Sequence, residues 1–234
     1  MSDRKQPPDS PAEDATVALA AAAHEIKNAL GPLGMTLQIA ERQLLGGQPI
    51  APADLAFARA QVRRLAALVD DLLDLTRADL GELPFRPQAV DLRAVVTEAV
   101  ETFKRGRSAA VTLELPDAPL LVSVDAGRIV QVLINFLENA IRYSPVGLPV
   151  VVAAMRVDAT AARIEVRDRG PGLGVDEQRQ IFGRFVRGAA AEGTSGLGIG
   201  LYLCRAIVER QGGTIGVDSV AGAGATFWIE LRLG

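Results

Sequence analysis

Two stretches of the chain carry apolar residues at alternating spacings of three and four. The first stretch comprises Leu19, Ala23, Ile26, Leu30, Leu33, Leu37, Ala40 and Leu44, and the second comprises Leu55, Ala58, Val62, Leu65, Val69 and Leu72. This spacing is a heptad pattern, which predicts two long helices with one apolar stripe each. The turn signal GGQPIAP between them predicts an antiparallel hairpin. A single hairpin leaves much of each stripe uncovered, so we expect a homodimeric four-helix bundle.

The composition fits a soluble globular protein, with 49% hydrophobic and 23% charged residues in a chain of 234. A net charge of −3 argues against a nucleic-acid partner, because such domains usually carry a clustered positive excess. Cys204 is the only cysteine, which excludes an intrachain disulfide and favours a reducing compartment. Since no apolar run approaches the roughly 20 residues of a membrane span, we expect a cytoplasmic protein.

The pattern changes along the chain and predicts four parts. Residues 1–14 are polar and contain prolines, so we expect a disordered tail, followed by the hairpin at 15–80 and a linker at 81–90. Residues 91–234 predict an α/β sandwich with helices on one face of a mixed sheet. The expected helices are 91–105, 125–143, 176–185 and 199–211, and the expected strands are 111–115, 120–124, 149–157, 162–168, 213–219 and 225–233.

His24 is the only histidine in the chain. It directly follows Ala23 of the heptad stripe, so its side chain should face outward, and Asn28 and Gly31 should share that face. An exposed imidazole is substantially neutral at pH 7 and can act as a nucleophile. A hydrogen bond from Nδ1 to the neighbouring Glu25 would fix the tautomer and leave Nε2 free to attack.

Three polar or glycine-rich segments of the second half suggest a ligand site. One helix carries Asn135, Asn139, Arg142 and Tyr143 within about two turns, although its asparagines could equally cap or bridge structure. Asp168 ends a strand and is followed by Gly170, Gly172 and Gly174, and a later helix begins among Gly196, Gly198 and Gly200. P-loop and Rossmann sites are excluded, because neither GxxxxGK[ST] nor a strand-to-helix GxGxxG occurs.

In their order along the chain, these motifs resemble those of the two-component sensor histidine kinases. The resemblance extends from about Leu19 to Leu233. It rests on HEIKNAL as phosphoacceptor box, NFLENAIRYS as asparagine box, DRGPGLG, SGLGIGLYL and GAGATF as glycine boxes, and IFGRF as phenylalanine box. It implies a dimerisation and phosphotransfer hairpin followed by the ATP-binding (Bergerat) fold shared with gyrase and the Hsp90 chaperones.

The resemblance also implies a role for individual residues. His24 would be phosphorylated and Glu25 would be its acid/base partner, while Asn28 would hold the water that dephosphorylates a response regulator. Asn139 would bind Mg²⁺ and Asp168 would receive the amino group of adenine. Other residues expected around ATP are Asn135, Arg142, Tyr143, Gly170, Gly172, Arg187, Gly196, Gly198 and Gly200, with residues 186–197 forming a mobile lid.

The implied cofactors are ATP and Mg²⁺, and the implied partners are a second copy of the chain and the receiver domain of a response regulator. Two features depart from the family pattern. Ala29 occupies the position where the family usually has proline, so the helix bend expected there should be reduced or displaced toward Pro32. The expected input comes from a separate sensor protein, from the short tail or from a part of the protein outside this sequence.

Three other functions compete with a histidine kinase. An ATP hydrolase of the gyrase or Hsp90 type would have a water-activating glutamate where this chain has Asn135. A histidine phosphotransferase relay with weak or absent kinase activity would not need Asn139, Asp168 and the glycine boxes intact. An adaptor built on the dimer alone would leave the nucleotide motifs without a purpose.

Overall fold

The structure, a computed structural model, describes residues 11–105, 107, 109–186, 188 and 197–234. Its helices are α1 (Pro11–Leu45), α2 (Pro52–Asp79), α3 (Leu92–Lys104), α4 (Ala126–Tyr143), α5 (Val175–Gln180) and α6 (Gly200–Arg210). Its strands are β1 (Gln88–Asp91), β2 (Val111–Glu114), β3 (Leu121–Val124), β4 (Val150–Arg156), β5 (Ala161–Arg167), β6 (Thr214–Ser219) and β7 (Ala225–Arg232). Leu197 apart, residues up to Leu75 form one compact unit and those from Thr76 form another.

Helix α1 is longer than the heptad pattern predicts. It begins at Pro11, so residues 11–14 are helical and do not belong to a disordered tail. Proline is favoured in the first turn of a helix, because its missing N–H has no partner there in any case. The helix continues through Pro32, whose missing N–H removes the hydrogen bond to the carbonyl of Asn28. Ala29, at the position of the family proline, is fully buried.

The heptad stripes divide between two faces of the hairpin. Alternate members, among them Ile26, Leu33, Leu65 and Leu72, are half-buried within the unit. Six larger members recur at intervals of seven on each helix and are between 48% and 61% exposed; they are Leu30, Leu37, Leu44, Leu55, Val62 and Val69. These six residues are called the uncovered stripe below. The hairpin therefore packs with only half of its apolar pattern.

The second unit is built on a mixed sheet in the order β2-β4-β5-β7-β6. Strands β2 and β4 are parallel, and the other neighbours are antiparallel. Alternate residues such as Ile164 and Phe227 are buried, and α4 packs on this face between α3 and α6. This arrangement confirms the expected α/β fold with helices on one face of a mixed sheet.

The opposite face of the sheet carries charged side chains that form ion pairs with one another. Arg163 donates to Glu230 at 2.7 Å, and its guanidinium lies 4.2 Å from the centre of the Trp228 ring. Arg167 pairs with Glu165 at 2.8 Å and with Glu114 at 2.9 Å. Alternation along β5 and β7 thus separates an apolar face from a charged one.

Two local expectations were wrong. Residues 88–90 of the expected linker 81–90 belong to strand β1, which pairs with β3 in antiparallel register, and Leu83 of the same stretch is buried. Helix α5 ends at Gln180 and not at residue 185. Among the helices described, none combines the length and apolar character required to cross a membrane.

Candidate phosphoacceptor and nucleotide sites

His24 and Asn28 lie one turn apart on the exposed surface of α1. The surface position of His24 agrees with the prediction from its place beside the heptad stripe. Its imidazole forms no hydrogen bond with any residue that the structure describes, so both ring nitrogens can be approached from solvent. This side chain can act as a nucleophile without first leaving a protein partner.

Glu25 is placed differently from our expectation. Only 7% of the residue is exposed, and its carboxylate accepts a hydrogen bond from Arg64 of α2 at 2.9 Å. The expected bond from Nδ1 of His24 to Glu25 is absent from the described structure. Successive side chains on a helix point about 100° apart, which turns Glu25 toward α2 while His24 faces solvent.

The two asparagines of α4 interact with each other. The side-chain nitrogen of Asn139 donates to Oδ1 of Asn135 at 3.2 Å, and both residues are half-buried. Oδ1 of Asn139 accepts no hydrogen bond from the described residues, and an amide oxygen is a suitable ligand for Mg²⁺. Arg142 is exposed and Tyr143 is half-buried at the end of the same helix.

Clusters of three or more His, Cys, Asp or Glu side chains suited to a metal are absent from the described residues.

Asp168 directly follows β5, and only one of its two carboxylate oxygens accepts hydrogen bonds from the described residues. Oδ1 accepts backbone hydrogen bonds from Gly170 at 2.7 Å and Ala225 at 3.3 Å. Oδ2 accepts no hydrogen bond from the described part of the chain. Burial raises the pKa of Asp168, and the two backbone N–H groups partly oppose this effect. The carboxylate is therefore fixed in place and has a free acceptor for an N–H donor.

The glycines bring these segments into contact. A Cβ atom on Gly200, in the first turn of α6, would lie 2.4 Å from the side-chain nitrogen of Asn135, so only glycine allows this approach. A Cβ atom on Gly170 would lie 3.0 Å from the carbonyl oxygen of Tyr143. The asparagine box and both glycine boxes therefore meet around α4.

Of the remaining predicted nucleotide residues, two glycines lie in tight backbone contacts and two residues lie outside the described part of the chain. Gly172 has a φ of +70° and contacts the backbone of Val220, where a side chain would collide at 2.2 Å. Gly198 contacts the backbone of Phe185 and Val186. Arg187 and Gly196 lie outside the described residues, as does most of the predicted lid at 186–197.

One contributor was not assigned from the sequence. A Cβ atom on Gly224 would lie 2.2 Å from the carbonyl oxygen of Asp168, and the next residue, Ala225, donates to the carboxylate of Asp168. The signal was the motif GAGATF, which resembles a third glycine box but carried no role. Its function here is to fix Asp168.

A cleft of about 440 Å³ lies elsewhere in the second unit. Its lining includes Leu83, Phe182, Arg184, Tyr202 and Arg205, and it contains none of the described candidate nucleotide residues. Because the candidate site is defined by converging backbone and polar groups, cavity size is a poor guide to its position.

Two family models match the chain. Residues 16–81 match the His Kinase A (phospho-acceptor) domain, and residues 124–234 match the Histidine kinase-, DNA gyrase B-, and HSP90-like ATPase. His24 and Asn28 fall in the first match, and every candidate nucleotide residue falls in the second.

Similar proteins point the same way. The adaptive-response sensory kinase SasA of Thermosynechococcus vestitus is 35% identical over 89% of this chain and 57% of its own length. The signal transduction histidine-protein kinase/phosphatase MprB of Mycobacterium tuberculosis is 33% identical over 84% of this chain and 40% of its own. The solved histidine kinase AdeS of Acinetobacter baumannii has a TM-score of 0.66 and 26% identity, covering 90% of this chain and 98% of that one.

This chain spans about half the length of the curated relatives it matches. The matched region includes both the phosphoacceptor hairpin and the nucleotide fold, in the same order. On its family models, its relatives and its fold, the chain belongs to the two-component sensor histidine kinases.

Proposed function

We propose that this chain transfers the γ-phosphoryl group of ATP to His24 and then to an aspartate of a response regulator. One observation carries the proposal. Within the described residues, one chain combines an exposed imidazole that has no hydrogen-bond partner with a nucleotide fold in which Asn139 and Asp168 each have one oxygen that accepts no hydrogen bond. We also propose that this activity takes place in the cytoplasm, where ATP is available.

The nucleotide would be held by groups that the fold already fixes. Oδ2 of Asp168 accepts the amino group of adenine, and the N-terminal amides of α6 near Gly198 and Gly200 face the phosphates. Oδ1 of Asn139 binds Mg²⁺, which neutralises charge on the phosphates when bound. Residues 16–81 and 124–234 then act as phosphoacceptor and ATP-binding domains.

In the transfer step, Nε2 of His24 attacks the γ-phosphorus of ATP. A nitrogen–phosphorus bond forms, the bond from the γ-phosphorus to the bridging oxygen breaks, and ADP leaves with the electron pair. The proton on Nδ1 passes to Glu25, which requires Glu25 to leave its pair with Arg64. Arg64 therefore competes with the imidazole for the base.

Autophosphorylation with labelled ATP tests this proposal. His24→Gln should abolish acid-labile label and leave ADP affinity near wild type, because His24 belongs to the other unit. Asn139→Ala should lower Mg²⁺-ATP affinity by about tenfold or more, because an oxygen ligand is lost. Label retained by His24→Gln would contradict the phosphoacceptor, and normal nucleotide use by Asn139→Ala would contradict the metal ligand.

The same experiment separates the competing functions. A gyrase-type hydrolase would release phosphate without labelling itself, a relay protein would accept label only from another phosphoprotein, and an adaptor would bind no nucleotide. The position of Asn135 argues against hydrolysis, because an amide cannot act as a general base for water.

A second activity, dephosphorylation of the regulator, is supported by Asn28. Its amide lies on the exposed surface of α1 one turn from His24, where it can donate to and accept from a water molecule. MprB is named a kinase/phosphatase. We expect Asn28→Ala to retain autophosphorylation within about threefold and to lose most phosphatase activity, since positioning a water contributes strongly to such steps.

The decay of a phosphorylated regulator, measured with wild-type or variant protein and ADP, checks this prediction. Lys27→Ala is a matched control, because Lys27 is an exposed neighbour on the same helix. Equal decay with Asn28→Ala and wild type would show that Asn28 has no such role.

The proposed assembly is a homodimer formed through the uncovered stripe. Its six apolar members recur every seven residues on two helices, which suits a four-helix bundle. The other proposed partners are the receiver domain of a response regulator and a separate sensor protein.

A further inference from the structure

Asp79 is the last residue of α2 and lies outside every nucleotide motif. It forms an ion pair with Arg184 of the IFGRF segment, and Oδ1 accepts a hydrogen bond from the hydroxyl of Tyr202 at 3.1 Å. Arg184 donates in turn to the Tyr202 hydroxyl at 2.9 Å, and its guanidinium lies 4.8 Å from the centre of that ring. The three side chains, here called the Asp79 triad, therefore each contact the other two within the second unit.

The triad joins two segments that also touch through their backbones. Tyr202 is on α6, two residues after Gly200, and Arg184 immediately precedes Phe185. A Cβ atom on Gly198 would lie 2.8 Å from the carbonyl oxygen of Val186 and 2.9 Å from the carbonyl carbon of Phe185. Phe185 has a φ of +57°, which is unfavourable for a bulky residue and needs support from its surroundings.

We propose that Asp79 is a positioning residue for nucleotide binding, which holds the start of α6 against the IFGRF segment. The proposal rests on the function proposed above, in which the backbone at Gly198 and Gly200 faces the phosphates. Gly200 already contacts Asn135, so a displacement of the first turn of α6 would also disturb the asparagine that contacts Asn139.

The Asp79 triad is partly buried, which strengthens the attraction between its charged side chains. The side chains of Arg184 and Asp79 are 32% and 33% exposed. By comparison, Arg205 and Glu209, which form an ion pair on α6, have side chains that are 54% and 53% exposed. Partial burial reduces screening by solvent, so removal of Asp79 leaves Arg184 and the Tyr202 hydroxyl without their shared acceptor. The exposed pair should contribute little and serves as a control.

Calorimetric titration of the full chain with Mg²⁺-ADP tests the proposal. We expect Asp79→Ala and Tyr202→Phe each to raise the Kd for ADP by about three- to tenfold, because a hydrogen bond at a charged group is lost. The loss in the double variant should be smaller than the sum of the two single losses, since both changes remove the contact between Asp79 and Tyr202. Glu209→Ala should bind as wild type does, and all variants should keep a wild-type circular dichroism spectrum.

Tyr202→Phe keeps the ring on which Arg184 stacks, so it tests the contact even if Asp79→Ala folds poorly. An unchanged Kd in Asp79→Ala or Tyr202→Phe, with or without a lower Tm, would show a purely structural role and overturn the inference. Additive losses in the double variant would also overturn it. Failure of wild type to bind ADP would instead overturn the proposed function, on which this inference depends.

Discussion

His24 and Glu25 are neighbours in the sequence but face different surroundings. The outward direction of His24 can be predicted from the heptad pattern, because helical geometry is local. The partner of Glu25 cannot, because Arg64 is on another helix and 39 positions away. A buried carboxylate is stabilised by such a partner, so in the proposed function the availability of Glu25 as a base depends on packing between α1 and α2.

Asp168 shows a conflict between stability and binding at a single residue. Burial raises its pKa, so its ionised form is disfavoured in the folded protein relative to the unfolded chain. The resulting loss of stability is present above the raised pKa and disappears as the pH falls through it. In the proposed function, the ionised carboxylate accepts the amino group of adenine, so nucleotide binding favours the form that burial disfavours.

We therefore expect Asp168→Asn to weaken ADP binding by about 30- to 100-fold, because the free position can become an N–H donor facing another donor. Its Oδ1 can still accept from Gly170 and Ala225, so the variant without nucleotide should be at least as stable as wild type at pH 7. Thermal unfolding at decreasing pH, alongside ADP titration, measures both effects. A less stable variant, or unchanged ADP affinity, would contradict this account.

At the scale of elements, the sequence predicts the helices and strands whose pattern of apolar residues can be recognised within the element itself. Strands β5 and β7 alternate strictly between buried and half-buried or exposed residues, and α4 has an apolar face, so their positions could be predicted. Strand β1 could not, because its four residues lack alternation and its partner β3 is about 30 residues away. The contacts of Gly200 with Asn135 likewise depend on long-range packing, although the glycine boxes themselves were visible.

The uncovered stripe predicts a specific response to a charged substitution. Leu37 is 54% exposed in the chain, and Leu37→Asp should raise the dimer dissociation constant by about 100-fold or more, since an apolar interface disfavours a carboxylate. Leu45→Asp is the control, because Leu45 is 83% exposed and lies outside the stripe. Sedimentation of the full chain at several concentrations compares the variants.

A monomeric wild-type chain at micromolar concentration would contradict a dimer through this stripe. An equal effect of the two substitutions would show that charge alone, and not the position in the stripe, controls association.

At the scale of the whole molecule, the two compact units should respond to different ligands. Mg²⁺-ADP at about 100 times its Kd should stabilise the second unit by about 2.7 kcal/mol, because only its folded state binds nucleotide. Raising the protein concentration should instead stabilise the first unit, if it dimerises. Calorimetry should therefore resolve two transitions that move separately, and a joint shift of both with ADP would contradict this expectation.

The ion pairs on the open face of the sheet restrict how two copies of the molecule can associate. Arg163, Arg167, Glu165 and Glu230 already have partners within the chain, so they offer few unsatisfied charges to a second copy. Stacking two such faces would dehydrate four charged side chains on each copy, a cost that new ion pairs rarely recover. The sheet therefore disfavours stacking of two copies through this face of the second unit, in keeping with the dimer that we propose through the uncovered stripe.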